Sequence, residues 1–300
     1  MEVLIVGAGA MGRWLASVLD ANVAVADVDD DAARELAAAA DGRVVPVDPD
    51  GTTRSGFDDD DERFDVVCLA VPMGVVESAV EAQAGRADGA IVDVSGVMAA
   101  PLSAMAGRAP DIERLSLHPL FAPQRAPGSV AYVRGEPGPL TDALLADLER
   151  AGNDLVETTA AEHDAAMESV QAATHAATIA FGLAARPVPE AFETPVYAAL
   201  REQVERLTDG TPRVYADVQE RFDGAESVAR AAERVAAADH DELQALLGEV
   251  AATWDGRGEG DCAEEEPDRG VHGGPDRVDE DRADAETSGR GRDGRGEPSR

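Results

Sequence analysis

The sequence predicts an α/β protein in which a doubly wound, largely parallel sheet comes first and an all-helical region follows. Short apolar runs typical of buried strands recur up to residue 133 and alternate with helical patterns such as 73–84 and 97–107. After about residue 158 the strand pattern stops and only helical periodicity continues. Strands alternating with helices favour a parallel sheet with crossover helices, and the later helices favour a separate helical domain.

Seven strands are predicted in the first half, each a run of apolar residues bounded by turn or helix signals. They cover 2–6, 22–26, 43–47, 65–71, 90–94, 114–117 and 130–133. A predicted helix over 10–20 joins the first two strands, so the chain opens with a βαβ unit. The segment 48–63 contains four consecutive aspartates at 58–61 and is predicted to be a solvated acidic loop.

Helices are predicted throughout the second half. The first begins at Ala160 and meets no Pro or Gly before Gly182, and the others cover 196–208, 213–222, 225–238 and 240–254. From Asp255 to Arg300 there is no Leu, Ile, Phe, Met, Tyr or Trp, so no core can offset the entropy of ordering this segment. We therefore expect a sheet domain over 1–157, a helical domain over 158–254 and a disordered acidic tail over 255–300.

The composition is strongly acidic, with 60 Asp and Glu against 26 basic residues, none of them Lys, and a formal net charge of −34. Such a charge repels nucleic acid and anionic membranes, so neither is expected as a partner. It is similar to the composition of cytosolic proteins of extreme halophiles, and we expect the fold to need molar salt to screen its self-repulsion. Two cysteines, no basic leader and no long uncharged apolar run predict a cytoplasmic protein without a membrane span.

A glycine motif directly follows the first predicted strand and opens the first helix. The sequence GAGAMG matches G-x-G-x-x-G, in which the first glycine permits a tight turn and the third lets the helix pack on the strand. The second glycine lets the backbone approach a pyrophosphate, whose negative charge the helix N-terminus favours. The residues expected to bind a dinucleotide are Gly7, Gly9, Ala10, Met11, Gly12 and Asp27.

Asp27 ends the second predicted strand, twenty positions after Gly7, where its carboxylate can accept hydrogen bonds from the adenosine ribose. A 2′-phosphate at this place would lie beside Asp27 and the acidic run 29–31, with no basic residue before Arg34. Because like charges repel, NAD is predicted over NADP. The first domain is therefore predicted to be a Rossmann-type dinucleotide-binding domain.

Three segments at predicted strand ends carry residues suited to chemistry. They are 70–74, 92–96, which contains Ser95, and 117–121, which contains His118. Ligands of open α/β sheets bind beyond the carboxyl ends of the strands, so the three segments are expected to line one cleft. His118 is predicted to be a general base, and Ser95 is expected to orient its ring.

Six segments together resemble the prephenate dehydrogenase family. In chain order they are GAGAMG, LAVPM, VDVSGV, SLHPLFAP, EHDAAMESVQAATHAATIAFG and TPVYAALREQVERLTDGTPRVYADV. They follow one another at the spacing of that family over residues 2–254, and the His-Pro segment and the Q-x-x-x-H helix are the most specific. The resemblance implies an NAD(P)-binding domain followed by an all-helical domain that builds a homodimer.

The resemblance also implies roles for single side chains. His118 is similar to the family's catalytic histidine, which we expect to titrate near neutrality, and Ser95 to its hydrogen-bonding partner. His175 matches a second histidine at the substrate pocket. Arg206 matches the arginine that holds the substrate carboxylate, with Arg201 as the alternative. His163 recurs in the family as well, but it is interpreted as structural and left out of the catalytic set.

The implied function is the NAD-dependent oxidative decarboxylation of prephenate to 4-hydroxyphenylpyruvate in tyrosine biosynthesis, without a metal. Arogenate, the transaminated form of prephenate, stays open as the substrate. A β-hydroxyacid or 6-phosphogluconate-type dehydrogenase is disfavoured because those enzymes use a catalytic lysine and this chain has none. A non-catalytic NAD-binding sensor would use the glycine motif, but it gives no reason for the four side chains of the predicted site.

Overall fold

A computed structural model describes residues 1–48 and 62–255. Its strands form one eight-stranded sheet in the order β3-β2-β1-β4-β5-β6-β7-β8. They are β1 Glu2–Val6, β2 Asn22–Ala26, β3 Arg43–Val44, β4 Phe64–Leu69, β5 Ala87–Asp93, β6 Glu113–Pro119, β7 Ser129–Glu136 and β8 Asp154–Glu157. β7 runs antiparallel to β6, and the other pairings in this sheet are parallel. The prediction of a largely parallel, doubly wound sheet is confirmed.

Helices connect most of these strands and then continue alone. The helices among the strands are α1 Ala10–Val18, α2 Asp30–Ala39, α3 Val76–Gln83, α4 Ala99–Arg108 and α5 Pro139–Arg150. Those after the sheet are α6 Ala160–Met167, α7 Thr174–Ala184, α8 Pro195–Thr208, α9 Pro212–Arg221, α10 Gly224–Ala237 and α11 His240–Asp255. Strand β8 was not predicted, because its sequence DLVE places acidic residues at both ends of only two apolar ones.

The long helix predicted from Ala160 to Gly182 is interrupted by a π-helical turn at Glu168–Ala173, which separates α6 from α7. A side chain from α9 helps to satisfy this turn, because the Gln219 amide donates to the Ala172 carbonyl at 2.9 Å. The first residue of α10 lies directly against it: a Cβ on Gly224 would come within 2.6 Å of the Glu168 carbonyl oxygen. The wider turn thus occurs where later helices pack against it, and the local sequence gives no sign of it.

The central strands of the sheet are buried on both faces. Successive strand residues point to opposite sides, so Ile5 packs in one apolar cluster with Leu15 of α1, and Leu4 packs in a second with Met105 of α4. Burial on both faces explains the continuous apolar runs of β1, β2 and β4. These clusters hold the carboxyl ends of the central strands in place.

The chain divides into two units, 1–243 and 244–300, and the described part of the second is the end of α11. Within the described residues, strands end at Glu157 and only helices follow. The four aspartates at 58–61 and the tail beyond Asp255, predicted to be a solvated loop and disordered, lie outside the described residues. No described helix combines the length and apolarity needed to cross a membrane.

Candidate active site

The glycine motif forms the turn between β1 and α1. Gly7 has a φ of +107°, and a Cβ there would lie 2.3 Å from the Ala70 carbonyl oxygen, so only glycine fits. A Cβ on Gly12 would lie 1.9 Å from the Gly7 carbonyl oxygen, which shows how closely α1 packs on the turn. A Cβ on Gly9 would meet no atom within 4 Å. The turn is therefore closed on the protein side and open at Gly9, as approach of a pyrophosphate requires.

Asp27 follows β2 directly and is held beside the glycine turn. Its Oδ2 accepts a hydrogen bond from the Ala8 N–H at 2.6 Å, and its Oδ1 accepts one from the Asp29 N–H at 2.8 Å. Each carboxylate oxygen has further acceptor capacity for a ribose hydroxyl. The next basic residue in the chain, Arg34, forms ion pairs with two aspartates of α2.

The carboxyl ends of β4, β5 and β6 meet at one edge, because the three strands are adjacent and parallel. The segments that follow or end these strands converge at Gly96, where a Cβ would lie 3.1 Å from the Met73 Sδ and 3.6 Å from the His118 Nε2. The structure brings the segments 70–74, 92–96 and 117–121 together, as predicted, and their lining of a cleft stays a prediction. The missing side chain at Gly96 leaves room beside His118 Nε2.

Both ring nitrogens of His118 contact side chains of the helical half. Nδ1 lies 2.8 Å from His163 Nε2, and Nε2 lies 3.2 Å from the side-chain nitrogen of Gln171. Burial of His118, and secondarily its neighbour His163, lowers the His118 pKa far below the usual histidine value. The expectation that His118 titrates near neutrality is therefore wrong. Its imidazole is neutral at physiological pH, which is the form that can accept a proton.

Asp164 continues the series of hydrogen bonds from His118 through His163. His163 Nδ1 lies 2.8 Å from Asp164 Oδ1, and the Asp164 carboxylate also accepts the Met98 and Ala99 N–H groups at 3.0 Å, at the start of α4. Burial opposes ionisation of Asp164, but the hydrogen bonds from His163, Ala99 and Met98 outweigh it and lower its pKa. His163, left out of the predicted catalytic set, thus links an ionised carboxylate to His118.

Ser95 does not contact the His118 ring as predicted. Its hydroxyl lies 3.0 Å from the Asp93 carboxyl and 2.9 Å from the Val97 carbonyl oxygen. The Ser116 hydroxyl donates to the same Asp93 carboxyl at 2.9 Å. The expected bond is absent because both nitrogens of His118 have other partners and the Ser95 hydroxyl faces Asp93. Burial raises the pKa of Asp93 to about 8, so this carboxyl is protonated at neutral pH.

His175 lies on α7 and packs edge-on against Tyr215 of α9, with ring centroids 4.9 Å apart. Burial lowers its pKa. Its Nδ1 and the Oε1 of Gln171, four residues earlier, are both buried without a hydrogen-bond partner. Buried polar atoms usually have partners, so two unpaired atoms so close in the chain indicate a place where a polar ligand can bind.

Arg206 lies on α8 and is about half exposed, with an ion pair to Glu202. The alternative, Arg201, pairs with Glu193, eight residues earlier in the chain, and with Glu205, four residues later. Neither arginine forms a hydrogen bond or ion pair with His118 among the described residues. Their part in the site therefore stays a prediction.

Three side chains near His118 were not predicted: His163, Asp164 and Gln171. The sequence held a signal for them, because His163 recurs in the family and Gln171 belongs to the specific Q-x-x-x-H helix. What the pattern did not show is that these segments contact β6, which lies 45 residues away from His163 in the chain. No cluster of His, Cys, Asp and Glu that could hold a metal occurs in 1–48 or 62–255.

Comparison with known proteins places this geometry in a family. A 4-amino-4-deoxyprephenate dehydrogenase from Streptomyces pristinaespiralis is 33% identical over 284 residues, which cover 83% of this chain and 92% of the relative. The chain belongs to the prephenate dehydrogenase family. The family inferred from the motifs is thereby confirmed. The T-protein of Enterobacter agglomerans is 31% identical over 163 residues, covering 51% of this chain and 43% of that protein.

Solved structures agree on the fold. Prephenate dehydrogenase from Aquifex aeolicus, in complex with hydroxyphenyl propionate and NAD⁺, has a TM-score of 0.59 at 15% identity and covers 84% of this chain and 92% of its own. Arogenate dehydrogenase from Synechocystis has a TM-score of 0.51 at 15% identity, with coverage of 85% and 99%. A scan of protein-family models finds no match.

Proposed function

We propose that this family member is an NAD-dependent prephenate dehydrogenase of tyrosine biosynthesis, which converts prephenate to 4-hydroxyphenylpyruvate. The observation that carries the proposal is the neutral, buried imidazole of His118 at the carboxyl ends of β4 to β6. The glycine turn lies at the same edge of the sheet. A Cβ on Gly7 would contact Ala70, and Met73, three residues after Ala70, lies next to Gly96. Gly96 is in turn next to His118. Dinucleotide and base would thus share one cleft.

The residues at the turn fit a bound NAD. Gly7 and Gly12 close the turn, the backbone at Gly9 is open, and Ala10 and Met11 begin the helix whose N-terminus favours a pyrophosphate. Asp27, with acidic neighbours and no arginine free in the adjacent α2, supports NAD over NADP. When bound, this cofactor supplies the acceptor for a hydride.

The chemistry assigned to the chain itself is proton transfer at one oxygen. As hydride leaves C4 of prephenate, the C4 hydroxyl gains carbonyl character and gives its proton to His118 Nε2. Loss of CO₂ from C1 leaves an electron pair that completes the aromatic ring, and His118 returns the proton to the phenolic oxygen. The products are 4-hydroxyphenylpyruvate, CO₂ and the reduced cofactor, with no net change in protons.

The helical half would hold the substrate. Gln171 Oε1 and His175 Nδ1 have no partner and can form hydrogen bonds with a bound substrate. Ser95 directly precedes Gly96, at the space beside His118. A dianionic substrate also needs a cation in a protein of this net charge, and a guanidinium can bind a carboxylate through two parallel hydrogen bonds. We assign this role to Arg206.

A second candidate is the oxidation of 4-amino-4-deoxyprephenate, which the relative from Streptomyces pristinaespiralis favours. A neutral His118 Nε2 accepts a hydrogen bond from an O–H or an N–H group, so the base alone does not select between the two substrates. Arogenate differs from prephenate only in the side chain remote from C4 and is a third substrate to test.

The same proposal extends to the organisation of the protein. Residues 1–157 would bind the dinucleotide, and 158–254 would complete the substrate pocket and join two copies in a cytoplasmic homodimer. Large apolar side chains exposed on and next to α7 and α8, such as Leu183 and Val196, support the dimer. The acidic surface supports a need for molar salt, and a melting temperature that does not rise with KCl would contradict that part.

The decisive experiment is absorbance at 340 nm in molar KCl, with prephenate, arogenate and 4-amino-4-deoxyprephenate each combined with NAD and with NADP. We expect the largest kcat/KM for prephenate with NAD. A larger kcat/KM for the amino substrate would favour the second candidate. No turnover in any combination, by protein that is folded and binds NAD, would support the non-catalytic sensor and remove the proposal.

A further inference from the structure

We propose that His163 and Asp164 are positioning residues that keep the proton of His118 on Nδ1 and leave Nε2 as the proton acceptor. The line Asp164, His163, His118 is built from two hydrogen bonds of 2.8 Å each. It ends at the ring nitrogen next to the space left by Gly96. The inference rests on the proposed function in one respect only, that His118 acts as a base.

The Asp164 carboxylate determines which nitrogen of each histidine carries a proton. Asp164 is ionised and can only accept, so His163 must donate from Nδ1. A neutral His163 ring then has a lone pair on Nε2 and accepts from His118 Nδ1. A neutral His118 in turn carries its single proton on Nδ1. With both rings neutral, each is thus left with one tautomer.

The far side of His118 agrees with this assignment. The side-chain nitrogen of Gln171 lies 3.2 Å from His118 Nε2, and with this orientation of the amide it donates to a His118 Nε2 that accepts. With its nitrogen in that place, the Gln171 amide leaves Oε1 buried and unpaired, and this oxygen is available to a donor group of a bound substrate. Donor and acceptor roles match at every step from the carboxylate to the cleft.

The two positioning residues are themselves firmly held. Asp164 accepts the backbone N–H groups of Met98 and Ala99, so its orientation is set by the start of α4. His163 is buried on α6, whose first turn is fixed by a capping box between Thr159 and Glu162. A fixed partner at Nδ1 restricts rotation of the His118 ring and so stabilises a single orientation of Nε2.

The first test reads the tautomer directly and needs no substrate. In uniformly ¹⁵N-labelled protein, the His118 ring signals are assigned by their loss in His118→Asn. We expect the pattern of a neutral ring protonated on Nδ1, whether or not the protein oxidises prephenate. A ring protonated on Nε2 would overturn the proposal, and it would do so without bearing on the proposed function.

The second test changes the line of hydrogen bonds. In Asp164→Asn the negative charge that keeps a proton on His163 Nδ1 is lost, so His163 and His118 are no longer restricted to one tautomer each. We expect kcat to fall about 10²-fold or more, as a wrong histidine tautomer does in a catalytic triad, while the Kd for NAD is unchanged. The ¹⁵N signals of His118 should show a mixture of the Nδ1 and Nε2 patterns in the same variant.

Two substitutions of His163 separate positioning from packing. His163→Gln keeps a carbonyl that can accept from His118 Nδ1, whereas His163→Met fills similar volume without an acceptor. We expect His163→Gln to retain at least tenfold more kcat than His163→Met, with equal KM for NAD. Equal kcat in the two variants, both shown to be folded by thermal melting, would mean that His163 only packs.

The chain supplies a matched control. His240 and Asp241 are also adjacent and also hydrogen-bonded through Nδ1, at 3.2 Å, but both are exposed. His240→Gln and Asp241→Asn should leave kcat unchanged. A comparable loss of kcat in these variants would show that the effects at His163 and Asp164 come from altered charge rather than position.

Discussion

The sheet half and the helical half of this chain bury their apolar side chains very differently. In the sheet half, the strand residues of β1, β2 and β4 are almost fully covered by helices on both faces. Among the described residues from 160 to 243, the buried apolar side chains are Met167, Ala172, Val218 and Phe222. In the same stretch Leu183 is 83% exposed, Phe192 75% and Val196 72%.

The helical half therefore has no large apolar core of its own, and its few buried apolar residues lie beside the candidate site. Its four buried apolar residues form one cluster with Val97 of the sheet half, next to the segments that carry His163 and Gln171. Covering both faces of a sheet with helices makes a complete core, whereas a single layer of helices leaves its outer face bare. His118 therefore lies on a strand of a sheet that is covered on both faces, and helices with an uncovered apolar face surround its ring nitrogens.

The largest expected effect is at the base, where the two halves meet. His118→Asn keeps an amide that can donate to His163 but removes the acceptor at Nε2. We expect kcat to fall about 10²- to 10⁴-fold, with the Kd for NAD and the melting temperature nearly unchanged. Steady-state kinetics and NAD titration check this, and unchanged turnover would remove His118 from the mechanism.

The next effect lies in the helical half, where Arg206 is expected to bind the substrate carboxylate. Arg206→Gln should raise the substrate KM about 10- to 100-fold and change kcat much less, because a hydrogen bond between charged groups is lost. Arg230→Gln is the matched control, since Arg230 pairs with Glu226 at the same spacing as Arg206 with Glu202. A selective loss of kcat would contradict a binding role.

Two glycines of the sheet half should respond in opposite ways. Gly7→Ala should lower the free energy of unfolding by about 1–3 kcal/mol, because φ is +107° and Ala70 blocks the new Cβ. Gly9→Ala meets no protein atom and should leave the melting temperature unchanged, but weaken NAD binding. Thermal melting and NAD titration of both variants test this contrast. Equal NAD affinity for Gly9→Ala and wild type would argue against a pyrophosphate at this turn.

The uncovered face of the helical half should be sensitive to charge. The double substitution Leu183→Asp and Val196→Asp is expected to reduce the molar mass in light scattering from two chains to one. Val156→Asp, an exposed apolar position on β8 of the sheet half, should leave the mass unchanged. Wild-type protein with the mass of one chain in high salt would exclude the dimer.

The last prediction is a pH dependence at Asp93. Its pKa in the fold is raised to about 8 by burial, so the stability that its protonated form contributes is full below about pH 4 and lost as the pH rises towards 8. Asp93→Asn cannot ionise and should gain melting temperature relative to wild type across this interval. A constant difference between pH 4 and pH 8 would show that Asp93 is not protonated in the fold.

The sequence by itself determined the features whose physical cause is local. The bounds of β1 and β2 follow from short apolar runs, and the glycine turn follows from a motif in which Gly7 and Gly12 leave no room for a Cβ. The family followed from motifs in order. The place of His118 at a strand end followed as well, because the end of an apolar run and a following proline are visible in the chain.

Only the tertiary structure decided which groups surround His118. The π-helical turn contacts Gln219 and Gly224, which lie some 50 residues further along the chain. Gln171 belongs to this turn and lies beside His118. The Ser95 hydroxyl bonds Asp93 instead of His118, and His163 makes the hydrogen bond to the His118 ring that was expected from Ser95. Hydrogen bonds of this kind depend on the geometry between distant segments, so the local pattern determines the place of His118 at a strand end but not its hydrogen-bond partners.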